Sequence, residues 1–482
     1  MRDVDKRRPL QFLLIDFYQT NHYTVLRFMN VVIHVKYYIV TLGCKVNQYE
    51  SEVMAELLDN AGYIKAESYT DSDICIVNSC TVTATADAKN RKVIHRIRRE
   101  NPDCIIILCG CMPQAVSDDT RAFEGCDIVM GNTARRDIIP LLDEYLLTRQ
   151  PIIRIDTHEK NESFEPMCIS AFNERTRACI KIEDGCNRFC TYCIIPYARG
   201  RVRSKPLDVI RQEAAELAQN GFKEVVLVGI NLSAYGQDED LNVYDAVKAV
   251  CEFDGIERVR LGSIEPERMT EEILTALSKE EKFCPHFHLS LQAGCDSTLK
   301  RMHRHYDTAE YARIVADIRR LFDNPSITTD VMVGFVGETD EDFEASVSFC
   351  DRIGFAKTHV FPYSRRKGTA ADRMDGHVPE RVKHQRADIM IAHTLEQQRR
   401  FMQSQVGLTE TVLFETRAKD GYTEGYTRNY TKVRVKDDRL ISGEIVDVHI
   451  TEAFDDYCVG ECKKAPFGKG SCRPMSTEEL HK

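Results

Sequence analysis

From residue 35 onward, short apolar runs alternate with longer stretches in which apolar residues recur at helical spacing. Residues 37–42, 74–77, 105–108 and 128–130 have the length and apolar content of buried strands. Residues 50–61, 86–99 and 137–147 carry helical periodicity between them. Strands that alternate with helices imply parallel pairing, because each return to the sheet needs a crossover. Residues 35–150 are therefore expected to form a doubly wound parallel sheet, with its chemistry at the carboxyl ends of the strands.

Residues 151–174 are polar and irregular and read as a linker. A second strand–helix series fills 175–402, with strands expected at 178–182, 225–228, 259–261, 288–291 and 329–333. Roughly 220 residues of such repeats suit a full or partial (β/α) barrel. From 405 to 470 the pattern changes to short strands with turn signals, at 411–414, 432–435 and 444–448, which predicts a small β-barrel of nucleic-acid-binding type. There Tyr422, Tyr426, Arg428, Asn429 and Tyr430 combine aromatic, polar and basic groups of the kind that stack and pair with single-stranded RNA. The expected fold class is multidomain α/β with this β-barrel near the end and a tail at 471–482.

The chain of 482 residues is 43% hydrophobic and 29% charged, the balance of a globular protein. That length implies two or three domains. No stretch approaches the ~20 apolar residues of a membrane span, so no membrane partner is expected. Residues 1–34 mix Lys6, Arg7 and Arg8 with short apolar runs but lack an apolar core followed by a small-residue cleavage site. They read as a doubtful extension, with Met29 a credible start, and a cytoplasmic location is expected. The net charge of −10 argues against a whole-surface nucleic-acid binder and leaves local basic runs at 95–99, 199–203 and 300–304, each of which taken alone reads as a solvated face rather than an RNA site. Nineteen cysteines change the picture most. In a reducing compartment they point to metal or redox work rather than disulfides.

Arrangement separates ligands from buried thiols. Cys44, Cys80 and Cys111 each follow a predicted strand of the first sheet, so three strand-end loops can converge on one point. Cys109 also lies at its strand's end; Cys111 is preferred because Gly110 before it and Met112-Pro113-Gln114 after it look like a loop. Cys186, Cys190 and Cys193 form C-x3-C-x2-C directly after a predicted strand. Three thiolates on one short loop each ligate one iron of a four-iron cluster and leave the fourth iron open. Zinc sites favour four ligands in two C-x2-C pairs. An open iron meets the requirement for chelating the amino and carboxylate groups of S-adenosylmethionine, whose sulfonium bond one electron then breaks to give a 5′-deoxyadenosyl radical. Cys458, Cys462 and Cys472 repeat only part of this spacing and read as an unstructured end.

The run Phe189-Cys190-Thr191-Tyr192-Cys193-Ile194-Ile195-Pro196-Tyr197-Ala198-Arg199-Gly200-Arg201 resembles the methylthiotransferase branch of the radical S-adenosylmethionine enzymes. The likeness runs from Val35 to about Gly460. It includes Gly43-Cys44-Lys45-Val46-Asn47-Gln48, Asn78-Ser79-Cys80, Gly110-Cys111, Ser290-Leu291-Gln292-Ala293-Gly294 and Asp330-Val331-Met332-Val333-Gly334. Val336 stands where the family commonly has proline. The resemblance implies an N-terminal methylthiotransferase domain, a central radical barrel and a C-terminal TRAM domain that binds RNA. It implies two 4Fe-4S clusters, the auxiliary one on Cys44, Cys80 and Cys111. One S-adenosylmethionine methylates a sulfur on that cluster; a second is cleaved at Cys186, Cys190 and Cys193. Further cofactor contacts are expected at strand ends: Gly229 and Asn231 along the methionine amino group, Ser263 and Glu265 at the ribose or methionine, and Gln292 and Asp330. Arg201 and Arg203 are candidates for phosphate or carboxylate contact.

The segment Lys45-Val46-Asn47-Gln48-Tyr49-Glu50 resembles the bacterial branch that modifies N6-threonylcarbamoyladenosine beside the tRNA anticodon. Other branches act on isopentenyladenosine or on a ribosomal protein. The expected partners are a tRNA anticodon loop, whose unstacked bases a pocket can receive, S-adenosylmethionine, and an electron donor such as flavodoxin or ferredoxin. Two readings of other classes stay open: a non-catalytic iron–sulfur electron carrier, and a zinc-stabilised RNA-binding protein.

Overall fold

The computed structural model describes residues 35–116, 120–159, 162–165, 167, 169 and 176–463. The extension at 1–34, Cys472 and the tail lie outside the described residues. The chain divides into two compact units, Met1–Phe401 and Met402–Lys482.

The first unit opens with β1 Lys36–Thr41, β2 Ile64–Lys65, β3 Ile74–Ser79, β4 Ile105–Gly110, β5 Ile128–Met130 and β6 Ile152–Arg154. They form one sheet in the order β2-β1-β3-β4-β5-β6, every neighbour parallel. Among the described residues four helices accompany it: α1 Lys45–Asn60, α2 Ala84–Glu100, α3 Cys111–Ala115 and α4 Ile138–Thr148. Met54 and Leu58 of α1 and Ile138, Leu141 and Leu142 of α4 pack with Ile76 and Ile107 on one face. Ile94 and Ile97 of α2 pack with Val77 and Leu108 on the other. Burial on both faces explains why β3 and β4 read as unbroken apolar runs. The sheet is doubly wound, as expected. Its winding reverses between β1 and β3, and the crevice at such a reversal is where open parallel sheets bind ligands. The edge strands β2 and β6 escaped the sequence reading, the latter at the start of the segment read as a linker. With two and three largely exposed residues, they carry no usable alternation.

A second parallel series follows. β7 Arg177–Lys181 leads into β8 Glu183–Asp184 and β9 Arg203–Ser204, a short antiparallel pair. β10 Glu224–Val228 lies between β7 and β11 Arg258–Leu261, and β12 Ser263–Ile264 continues past Gly262 to join β13 His286–Leu289, β14 Ser326–Val333 and β15 Lys357–Pro362. The result is an open (β/α) arc, the expected partial barrel. Its helices are α5 Ile195–Arg199, α6 Leu207–Gln219, α7 Val243–Cys251, α8 Glu271–Leu277, α9 Asp296–Arg301, α10 Thr308–Leu321, α11 Asp340–Ile353 and α12 Glu380–Ser404. Capping boxes start α7 at Asn242/Asp245 and α11 at Thr339/Asp342, and left-handed Gly354 ends α11. Val336 is buried in the barrel core, so a valine at the usual proline position packs there without a polar cost. The strand expected at 288–291 lies two residues earlier.

The second unit is a closed barrel of β16 Thr409–Arg417, β17 Thr423–Thr427, β18 Lys432–Val435, β19 Ile445–Ala453 and β20 Cys458–Cys462, in the order β16-β17-β18-β20-β19. Val412, Phe414, Val433, Val448 and Ile450 fill it. Cys458 and Cys462 do not belong to an unstructured end: they lie on the closing strand, and Cys458 is in the core. Gly460 between them lets β19 approach, since a Cβ there would stand 2.5 Å from Val448 Cγ1. Asn429 is likewise structural, its buried Oδ1 accepting from Thr431 Oγ1 at 2.8 Å in the β17–β18 turn. Tyr426 and Tyr430 stack with centroids 4.6 Å apart, and Arg434 lies over Tyr422 at 4.7 Å. Among the described residues no helix is long and apolar enough to cross a membrane.

Candidate active site with two cysteine triplets

Cys44, Cys80 and Cys111 follow β1, β3 and β4, on either side of the winding reversal. Two glycines allow their loops to meet. Gly43 has φ +112°, and a Cβ on it would stand 2.8 Å from Cys80 Cβ; Gly110 has φ +91°, and a Cβ there would stand 2.5 Å from Ser79 O. Cys44 caps α1, and Cys111 is the first residue of α3. The charge of Cys44 is felt by both Cys80 and Cys111. Cys109 turns the other way, with its sulfur 3.8 Å from Met54 Sδ in the core. The turn at Gly110, with its positive φ, separates these near neighbours, and Cys111 is the one facing the other two loops. Burial pushes its thiol up to about 11, opposed by the Arg199 guanidinium.

The second triplet lies between β8 and β9. Gly185 has φ +88°, and any Cβ would fall 1.9 Å from Arg201 O, so only glycine lets the loop close on itself. Cys186 N donates to Gly200 O at 3.0 Å, and Cys193 N to Cys190 O at 2.9 Å. Burial pushes Cys186 up to about 12, and the neighbouring Cys190 raises both Cys186 and Cys193. Asn231 Nδ2 stands 3.6 Å from Cys186 Sγ, and Arg304 Nη1 stands 3.4 Å from Cys190 Sγ.

The other expected contacts divide. Gly229 packs on Glu183, where a Cβ would stand 2.8 Å from Oε2, and Asn231 N donates to that same oxygen at 2.7 Å. Glu265 pairs with Arg304, and its backbone N–H donates to Ser233 Oγ at 2.7 Å. Ser263 is exposed on β12. Gln292 N donates to Asp330 O at 2.9 Å, while the Asp330 carboxylate lies 3.4 Å from His288 Nε2. Arg203 is not available to a ligand: it is buried, 3.6 Å from Asp184 and 3.3 Å from Glu162. Arg201 is exposed and lies over the Phe189 ring at 5.2 Å. Sequence reasoning missed Glu183, Arg304 and Arg199. The last two were hidden inside basic runs that read as solvated faces.

Between the triplets lies a buried charge network. Glu50 of α1 accepts from Arg199 at 2.5 Å and Lys181 at 2.9 Å, and pairs with Arg135 at 3.1 Å. Asp184 accepts from Lys181 at 2.6 Å and from Arg199 at 3.3 Å. Burial would raise the Glu50 carboxyl, but Arg135, Arg199 and Lys181 hold it at about 2.

The donor sets fit iron–sulfur clusters. Each triplet offers three thiols, and beside the second the Oε1 of Glu183 and the Oδ1 of Asn231 are buried without a hydrogen-bond partner. Buried polar atoms in folded proteins are otherwise satisfied, so a bound group is the natural complement. Among the described residues no three His, Cys, Asp or Glu side chains stand at the spacing of a single metal ion. A cluster that gives each thiol its own iron does not ask for that spacing.

Known proteins fall in line with this geometry. Residues 36–131 match the model of Uncharacterized protein family UPF0004, residues 180–350 that of the Radical SAM superfamily, and residues 403–462 that of the TRAM domain. The threonylcarbamoyladenosine tRNA methylthiotransferase MtaB of Bacillus subtilis (strain 168) is 38% identical over 429 residues, 87% of this chain and 95% of that protein. The protein of the same name from Thermotoga maritima is 38% identical over 419 residues, with the same coverage. A tRNA-2-methylthio-N(6)-dimethylallyladenosine synthase from Pelotomaculum thermopropionicum is 35% identical over 87% of this chain and 95% of its own. The solved radical S-adenosylmethionine methyltransferase TsrM from Kitasatospora setae shares the fold, with a TM-score of 0.53 at 14% identity over 70% of this chain and 74% of its own. The chain is an enzyme that belongs to the radical SAM tRNA methylthiotransferase family.

Proposed function

We propose that this enzyme adds a methylthio group to C2 of N6-threonylcarbamoyladenosine beside the tRNA anticodon. The observation that carries the reading is one buried charge network that touches Cys111 through Arg199 and reaches Asp184, two residues before Cys186. Cys186, Cys190 and Cys193 hold the cluster that binds S-adenosylmethionine, and Cys44, Cys80 and Cys111 the auxiliary one. When bound, the first supplies the electron that cleaves S-adenosylmethionine and the second supplies the sulfur.

The chain's own residues bind, orient and exclude water. Gly185 and the β8–β9 pair fix the Cys186 loop. Glu183 and Asn231 offer unpartnered oxygens to a cationic amino group, and Arg304 places a cation beside Cys190. Burial of Cys190 keeps bulk water from the reacting centre. The C-terminal barrel supplies Tyr422, Tyr426, Tyr430 and Arg428 for RNA contact, and a flavodoxin or ferredoxin supplies the electron.

The threonylcarbamoyl substrate is favoured over the dimethylallyl one because the relatives carrying the former name are the more similar, at 38% against 35% identity. Mass spectrometry of tRNA nucleosides from cells with and without the gene tests it. Loss of the methylthio-threonylcarbamoyl nucleoside is the expected result; loss of the isopentenyl analogue instead moves the enzyme to the other substrate.

A further inference from the structure

Three loops of the N-terminal sheet carry Cys44, Cys80 and Cys111, yet the side chain that binds them together comes from the barrel. Arg199 ends α5 and is fully buried. Its Nε donates to the Cys111 sulfur at 3.2 Å. Its Nη2 donates to Asn47 Oδ1 at 2.9 Å and to Glu50 Oε2 at 3.0 Å. Asn47 extends the contact: its Nδ2 donates to Leu42 O and to Ser79 O, each at 2.9 Å, joining the loops that precede Cys44 and Cys80. The Cys44 thiol in turn donates to Asn47 Oδ1 at 3.6 Å. On the barrel side Arg199 Nη1 reaches Asp184 Oδ1 at 3.3 Å, on the residue before Gly185-Cys186. A guanidinium presents its donors in a rigid planar fork, so these contacts fix mutual positions in a way a lysine ammonium does not.

We propose that Arg199 is a positioning residue for the auxiliary cluster, which holds its three loops in register with the Cys186 loop and raises its reduction potential through the charged N–H on Cys111. The inference rests on the reading of Cys44, Cys80 and Cys111 as cluster ligands. Net charge and hydrogen bonds to the ligand sulfurs set an iron–sulfur potential. A cation donating to a thiolate favours the reduced, more negative state, so its removal moves the midpoint downward. Arg304 sits on Cys190 in the same manner at the other triplet, so each cluster would be tuned by its own arginine.

The test compares the full-length protein with R199Q and R199K after anaerobic reconstitution, by iron content and by EPR-monitored redox titration. The wild type is expected to hold about eight irons with two resolvable midpoints. In R199Q the auxiliary midpoint moves to more negative potential, or the protein drops to about four irons, while the barrel midpoint stays. R199K, which keeps the charge but loses the fork, falls between. Eight irons with an unmoved auxiliary midpoint in R199Q overturns the role of Arg199. If R199Q does not fold, R199K decides: a full iron complement with an unmoved auxiliary midpoint overturns it. A wild type with only four irons instead overturns the cluster reading itself.

Discussion

The Glu183 carboxylate accepts the backbone N–H of Asn231 at 2.7 Å, and that bond aims the Asn231 side chain at Cys186. Both residues keep one buried oxygen unpartnered, and burial pushes the Glu183 carboxyl well above its ordinary range. Such a pair lacks a cationic donor. A hydrogen bond to a charged group contributes about 1.5–3 kcal/mol. E183Q and N231A are therefore expected to weaken S-adenosylmethionine binding on the order of 10- to 100-fold, with the iron content unchanged. G229A acts on the same pair, because its Cβ would displace Glu183 Oε2. Equilibrium binding to the reconstituted protein checks this; wild-type affinity in all three variants removes the assignment.

Cys109 and Cys111 stand two residues apart with opposite surroundings, one against Met54 and the other against Arg199. C111A is expected to reduce the reconstituted protein from about eight irons to about four. C109A is expected to keep the full complement and lose about 1 kcal/mol of stability, since alanine leaves a cavity about the size of one methyl group. Iron analysis of the two variants side by side decides which cysteine is the ligand.

How far the sequence reveals this site follows from how local each part is. Cys186, Cys190 and Cys193 are legible because one loop carries all three. Cys44, Cys80 and Cys111 lie on three loops, and only the rule that parallel sheets gather chemistry at their strand ends brings them to one place. Choosing Cys111 over Cys109 needs the direction of each side chain, which depends on the turn at Gly110. The bridge is illegible: Arg199 and Glu50 are 149 residues apart, and Lys181 and Glu50 are 131. No local pattern distinguishes such buried charges from surface ones, so Arg199 and Arg304 looked like parts of solvated basic runs and Arg203 like a ligand contact. The same limit hid β2 and β6, too short for any periodicity.

Arg304 is buried between Cys190 and Glu265 and forms an ion pair with the latter. R304Q leaves Glu265 as a buried carboxylate without its partner, a change that costs about 3–5 kcal/mol. The expected results are a lower urea midpoint and a more negative barrel-cluster potential, with the auxiliary potential unmoved. E265Q, which keeps the arginine, should destabilise the protein without lowering that potential. Redox titration of both variants separates the two effects, and equal potentials in R304Q and wild type would show that Arg304 serves packing alone.

Glu50 makes the first unit sensitive to acid. Burial raises its carboxyl, and the opposing fields of Arg135, Arg199 and Lys181 bring it to about 2, below the ordinary value of 4.5. Asp184 in the same network is also held below its ordinary value; burial raises it, but Lys181, Arg199 and Arg203 outweigh that. A carboxyl that ionises more readily in the folded than in the unfolded chain stabilises the fold in full above its unfolded value. That contribution is lost as pH falls from about 4.5 towards 2. E50Q removes the charge at every pH and leaves three buried cations without their shared partner, so it should cost about 3–5 kcal/mol near neutrality. Its stability should then change less than that of the wild type through the acid window. Urea unfolding of the cluster-free protein, followed from neutral pH downward, measures both curves. Parallel decline of E50Q and wild type below pH 4.5 would place the acid sensitivity elsewhere than in this network.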